Sequence, residues 1–219
     1  YAASTVIPDP NQVGGANPLA TDPGAGTLIG AQSVGSVTII SEGAAGIDFG
    51  FNFNTIVNTN DTGQGSLSQF ITNANNLDES GLDIEANTIF DPPAGVDLSV
   101  FMIPPSGDVL GRSADPGFNG TYFDIYLSSA LDDLSSDNIA IDGRTQTAYS
   151  GDTNAGSVGG GGSSVGVSGT SLSVFDLPEV QVHRDAGDVF VNSGATNQIG
   201  YLAVYSDSNS AIRISGGSL

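Results

Sequence analysis

Between Ile56 and Asn76 the chain reads IVNTNDTGQGSLSQFITNANN, where a strand end, a turn and a helix succeed one another without a gap. Thr55, Ile56 and Val57 close a β-rich run, and Asn58 to Gly65 is dense in turn formers. Leu67, Phe70, Ile71 and Ala74 then recur at i, i+3, i+4 and i+7, which places all four on one face and predicts an amphipathic helix of about three turns. Ser66 stands where an N-cap hydroxyl would accept an orphan N–H of the first turn, with Gln69 at the capping-box position. No other stretch predicts a helix as clearly. The chain before this helix reads as a finished β-module, and the chain after it as a series of strands.

Composition supports an all-β reading. The 31 glycines, 10 prolines and many Ser, Thr, Asn and Asp are turn chemistry, while the apolar residues are mainly Val, Ile, Leu and Phe in short runs. Upstream, residues 1–36 are rich in Pro, Gly and Asn and predict only edge strands such as Thr5–Ile7 and Thr27–Ile29. Val37–Ile40 is a further strand. In IDFGFNF, Ile47, Phe49, Phe51 and Phe53 alternate with polar or small residues, so every bulky group lies on one sheet face.

Downstream, the strands are Asn87–Phe90, Val100–Ile103, Tyr122–Leu127 and Ile139–Ile141, then Leu172 with Val174, Val180 with Val182, Val189–Val191, Leu202–Tyr205, and Ile212 with Ile214. Residues 155–170 are Gly/Ser-rich and predict a flexible excursion or a thin strand. Short strands at such intervals fit either a sandwich or a right-handed parallel β-helix. The similarity of VFVNSG, YLAVYSDSN and AIRISGG, with few tight Asn-Gly or Asp-Gly hairpin turns, favours the β-helix. The expected organisation is a β-module or extended arm over 1–53, a helical cap and first β-helix turns over 54–121, and rungs over 122–219. Those last residues have room for about four or five rungs of ~20 residues.

A stack of strands needs its first rung covered, because that rung exposes apolar side chains and unpaired backbone groups. Leu67, Phe70, Ile71 and Ala74 are the expected capping contacts; an ordinary surface helix on a sandwich is the alternative. The charge balance narrows function. Lysine is absent, and Arg112, Arg144, Arg184 and Arg213 face 24 carboxylates, a net charge of −20. Such a surface repels nucleic-acid backbones and anionic lipid headgroups. Without cysteine, disulfides and thiolate metal sites are excluded. No run is long and apolar enough to insert in a membrane, and YAASTVIPDP lacks the features of a signal peptide, so either a leader has been removed or the chain is an excerpt.

Catalytic motifs are sparse. His183, coming after Val180 and Val182, is expected to point away from their face, to the surface. Asp132, Asp133, Asp137 and Asp142, with Arg144 or Arg184, are the candidates for acid/base work on a glycan, although adjacent Asp132 and Asp133 in a strand would face opposite ways. No cofactor is required. Structural calcium is the candidate ion, on the oxygen-rich set Asp48, Asn58, Asn60 and Asp61, with Asp152 and Asn154 a second cluster; Asx turns explain the same residues without a metal.

Residues 47–76 resemble a segment of large bacterial exported proteins. There an IDFGFNF-type strand ends an Sdr-like B-type or related β-module, and a VNTNDSGxGSLRQAI-type motif opens a right-handed parallel β-helix. The matching residues are Val57 to Gly63, Gly65-Ser66-Leu67, Gln69-Phe70-Ile71 and Asn73-Ala74-Asn75, and Asn87–Phe90 and Ile139–Gln146 are similar to early rungs. Ser68 stands where the family usually has arginine, removing a charge near the helix. The resemblance implies a non-catalytic, adhesive or structural part of an extracellular or cell-surface protein, with copies of itself, neighbouring domains, glycans or cell surfaces as partners. A self-assembling filament subunit and a β-helix polysaccharide lyase or hydrolase are the alternatives.

Overall fold

The computed structural model describes residues 53–77, 81, 83, 90–108, 111–159 and 164–216. All but Phe53 of the expected module of residues 1–53, Asp48 included, and most of the strand Asn87–Phe90 lie outside the described residues. The remainder is built mainly of short strands with two helices. In chain order these are β1 (Thr55–Ile56), α1 (Leu67–Ala74), β2 (Asp97–Leu98), β3 (Val100–Phe101), β4 (Phe123–Tyr126), β5 (Ile139–Asp142) and α2 (Arg144–Ser150). Then come β6 (Ser157–Gly159), β7 (Ser164–Val165), β8 (Thr170–Ser171), β9 (Val174–Asp176), β10 (Val180–Arg184), β11 (Phe190–Asn192), β12 (Gln198–Gly200), β13 (Ala203–Ser206) and β14 (Ile212–Ile214).

Among the described residues the paired strands outside residues 157–176 are all parallel and join partners distant in the chain; an isolated antiparallel bridge joins Phe118 to Phe123. One column runs β2, β5, β12 and a second runs β4, β10, β13. In a third column β11 pairs β14, and Leu134 bridges Asn192. β1 and β3 pair in the same sense. The register keeps the alternation of side chains intact: Val180 and Val182 sit opposite Phe123 and Ile125, and all four are fully buried. On either side of them Gln181 and His183 face outward.

These inward residues join Ile56, Phe101, Leu134, Ile139, Ile141 and Phe190 in one apolar cluster inside the columns. A buried amide ladder makes the corner between β11 and β12. Asn197 donates to Asn192 at 2.7 Å, Asn192 donates to the Gly194 carbonyl at 3.0 Å, and the Ile139 amide donates to Asn197 at 2.8 Å. Only glycine fits at 194, where a Cβ would stand 2.0 Å from the Ser136 carbonyl oxygen.

Three features differ from the sequence expectation. α2 is a second helix, unannounced because RTQTAYS has no apolar stripe; it is held instead by polar side chains that take the place of a neighbouring strand. Thr145 Oγ1 accepts the Phe101 amide at 3.0 Å, while Gln146 both accepts the Ile103 amide and donates to its carbonyl at 2.9 Å. The Gly/Ser-rich excursion is an antiparallel arm, with β6 paired to β9 and β7 to β8, closed at its base by a Leu177 amide donating to the Gly156 carbonyl. Because α2 and this arm occupy so much chain, residues 122–216 supply three strands to the second column and two to the first, against the four or five rungs expected of residues 122–219.

Candidate functional site

Ser66 caps α1 as its position implies: its hydroxyl accepts the Gln69 amide at 3.1 Å and donates to the Gly63 carbonyl at 2.6 Å. The capping box is not closed, since Gln69 turns along the helix to donate to Asn73 at 2.8 Å and the Ser66 amide donates to the Gly63 carbonyl. Leu67, Phe70, Ile71 and Ala74 are all buried in the main apolar cluster. Polar contacts fix the other end of α1. Asn75 donates to the Asp133 carbonyl at 2.7 Å and accepts the Ser135 and Ser136 amides, while Thr72 donates to Asp132 at 2.8 Å. The helix therefore lies against β1 and the segment around Leu134, which bridges Asn192.

The oxygen-rich turn after β1 is tied into the protein. Asn58 Oδ1 accepts the Asn60 amide at 3.2 Å in an Asx turn, and its amide group donates to the Gln64 carbonyl at 3.0 Å. Asp61 accepts from the Ser128 hydroxyl at 2.5 Å. Asp115, which the sequence does not single out, is the hub: it accepts from the Thr59 hydroxyl at 2.6 Å and the Gly117 amide at 2.8 Å. Among the described residues no group of three or more His, Cys, Asp or Glu is arranged to hold a metal ion. The structure thus brings Asn58, Asn60 and Asp61 into one turn, each engaged by protein groups, and does not describe Asp48.

Of the acid/base candidates, Asp132 and Asp133 lie outside the strands, where the side chain of the first and the carbonyl of the second anchor α1. Asp137 accepts the Ala195 amide. Asp142 and Arg144 pair through two hydrogen-bonding nitrogens, which holds the Arg144 guanidinium above its usual pKa. Arg184 donates to the Asp188 carbonyl at 2.9 Å, away from that pair in the chain.

Arg144 also borders a cavity of about 330 Å³ between α2, the base of the arm and the turn before β13. Its guanidinium carbon lies 3.9 Å from the centre of the Tyr201 ring and 5.4 Å from that of Phe90. Asp152, Asp176 and Glu179 line the same cavity; Glu179 is buried and accepts from the Thr147 hydroxyl. The sequence places Asp152 with Asn154 in an oxygen-rich cluster but gives no sign of the other two, because α2 and the arm that bring them together are not written in its periodicity.

His183 points outward as expected, but it is packed rather than free. Its ring stands between Tyr126 and Tyr205, with centroids 5.2 and 4.8 Å away, and Nε2 approaches Asp124 Oδ1 to 2.9 Å out of line for a hydrogen bond. Tyr126 donates to Asp185 at 2.9 Å, and this bond, with the charge of Asp185, raises the phenol above its ordinary pKa. Burial, and after it the charge of Asp124, raises Tyr205.

A buried arginine braces the loop after β3. Arg112 meets Asp108 at 2.7 Å, the Met102 carbonyl at 2.9 Å and the Tyr149 hydroxyl at 2.9 Å, so it ties that loop to α2. No helix among the described residues is long and apolar enough to cross a membrane. Comparison with models of known protein families, with curated proteins and with solved structures finds no match for this chain.

Proposed function

We propose that residues 54–216 form the opening turns of a right-handed parallel β-helix sealed by α1, and that this stack is a non-catalytic structural or adhesive part of an extracellular bacterial surface protein. The observation that carries the reading is the register of the second column, in which Ile125, Val182 and Val204 align in parallel across three strands. Parallel strands joined by long connections wind to the right in nearly all known cases. An apolar helix face buried against the earliest circuit is what an end cap requires.

Placement outside the cell draws on the resemblance of residues 47–76 and the surplus of carboxylates, which suits a surface bathed in salt and divalent cations. The candidate acidic residues are engaged in holding the fold, as Asp132, Asp137 and Asp142 illustrate. No cofactor has a part in this reading.

One observation favours the glycan-active alternative: Asp152, Asp176 and Glu179 share the cavity with Arg144. A reducing-sugar assay over a panel of neutral and acidic glycans separates the two, with no turnover expected. Antibodies raised against the chain are expected to label intact cells of its source. Labelling of permeabilised cells alone overturns the surface assignment.

A further inference from the structure

The cavity beside α2 carries uncompensated charge. Asp152 follows α2, Asp176 ends β9 and Glu179 precedes β10, so carboxylates from three segments border one space of about 330 Å³. No salt bridge among the described residues reaches any of them. Arg144, on the same rim, is already neutralised by Asp142. Glu179 is 4% exposed, and among the described residues only one of its carboxylate oxygens accepts a hydrogen bond, from the neutral Thr147 hydroxyl. The other oxygen is left to the cavity that Glu179 lines. A carboxylate so withdrawn from water, with no counter-charge and an incomplete set of donors, is costly to keep. Phe90, Ala148, Pro178 and Tyr201 supply an apolar wall. The site is braced, since Asn154 donates to the Pro178 carbonyl at 2.8 Å and holds the segment after α2 beside the start of β10.

We propose that this cavity binds an aliphatic amine, a ligand with one or more ammonium groups on a hydrocarbon stem. Carboxylates accept hydrogen bonds and give none, so the ligand must be a donor. A neutral sugar would strip water from Asp152, Asp176 and Glu179 without returning a charge, whereas an ammonium group compensates them. A bare metal ion does not suit the site, because among the described residues no three such groups converge as coordination requires. Ammonium groups spaced along a stem reach carboxylates that stand apart, while the stem itself covers the apolar wall. The volume falls in the range of roughly 300–1,000 Å³ typical of small-molecule sites. The field of a chain of net charge −20 raises the local concentration of cations at such a cleft. The same chemistry is offered by a free diamine or polyamine and by a lysine side chain of a peptide. The inference goes beyond the proposed function and does not depend on it.

Isothermal titration calorimetry of the whole 219-residue chain tests it, at physiological salt so that loose attraction to the acidic surface is screened. The probes are cadaverine, spermidine and a lysine-bearing peptide with blocked ends, with pentanediol as the uncharged control. Saturable one-to-one binding of an amine is expected, and none of the diol. Binding of cadaverine or spermidine assigns the site to a free amine; binding of the peptide alone assigns it to a lysine side chain. Glu179→Gln removes the charge and keeps an oxygen for Thr147, and Ala148→Phe fills the space from an exposed position of α2 without changing charge. Each is expected to weaken binding at least about tenfold. Asp207→Asn, an equal loss of charge at an exposed residue that does not line the cavity, is expected to change it less than about twofold. Should Glu179→Gln fail to fold by circular dichroism, Asp152→Asn on an exposed residue carries the same test, with a loss of at least about threefold expected. The proposal is overturned if no amine binds, if the diol or a neutral sugar binds in its place, or if the cavity variants bind as wild type does. It is equally overturned if Asp207→Asn weakens binding as much as they do, since overall charge alone would then account for it.

Discussion

The imidazole of His183 stacks on the phenol of Tyr205, with planes 19° from parallel, because the two residues hold the same register position in adjacent strands of one column. Tyr126 occupies that position on the other side. The outer face of the column thus carries a ring ladder while its inner face carries valine and isoleucine. Tyr205→Ala is expected to cost about 0.5–1.5 kcal/mol beyond the area lost, with His183→Phe close to neutral, as read from urea unfolding.

The same ladder sets an alkaline limit. Tyr126 and Tyr205 have folded pKa values raised above the ordinary phenol value, Tyr126 by its bond to Asp185 and Tyr205 by burial. A folded state that holds a proton more tightly than the unfolded chain gains stability that is complete below about pH 10 and is lost as pH rises through the raised value. Melting temperature is therefore expected to fall above about pH 10, and less steeply in Tyr126→Phe. An identical alkaline profile in that variant would count against the Asp185 contact.

Burial separates Phe70 from Phe175. Phe70 is 2% exposed in the main cluster, whereas Phe175 is 53% exposed on the arm. Phe70→Ala is expected to cost about 3–5 kcal/mol in denaturant unfolding, and Ser66→Ala about 0.5–2 kcal/mol through the lost cap. Phe175→Ala is expected to stay within about 0.5 kcal/mol of wild type.

Arg112 is buried against Asp108 and the Tyr149 hydroxyl. Removing the cation leaves a poorly solvated carboxylate, so Arg112→Ala is expected to destabilise by about 3–5 kcal/mol. Asp108→Asn in that background should recover part of the loss, and a double-mutant cycle reads the coupling.

The turn from Asn58 to Asp61 gives a metal test. Its side-chain oxygens already accept from Asn60 and Ser128, so EDTA is expected to leave the melting temperature unchanged. A fall on chelation that calcium reverses would assign the ion to this turn.

What the sequence could show depended on whether a segment buries an apolar face. α1 was legible because Leu67, Phe70, Ile71 and Ala74 share one, and β10 because Val180 and Val182 alternate with outward residues. α2 was not, since Thr145 and Gln146 are buried as polar surrogates for a strand, and burial of that kind leaves no hydrophobic period. The arm escaped for the opposite reason: its strands face solvent on both sides, so neither alternation nor a core constrains them. Asp115 and Glu179 take their roles from residues distant in the chain, Thr59 and Thr147, and no local spacing encodes such partners.

The parallel register of the second column can be tested directly, because the chain has no cysteine of its own. Gln181 aligns with Asp124 on one side and Ala203 on the other, with all three on the outer face. Paired cysteines at 124 and 181, and separately at 181 and 203, are expected to form disulfides on mild oxidation, since adjacent strands about 4.8 Å apart lie within bridging range. A control pair at 181 and 205, displaced by two residues, should bridge poorly. If neither aligned pair closes, or the displaced pair closes in preference, the stacked parallel columns on which this account is built are contradicted.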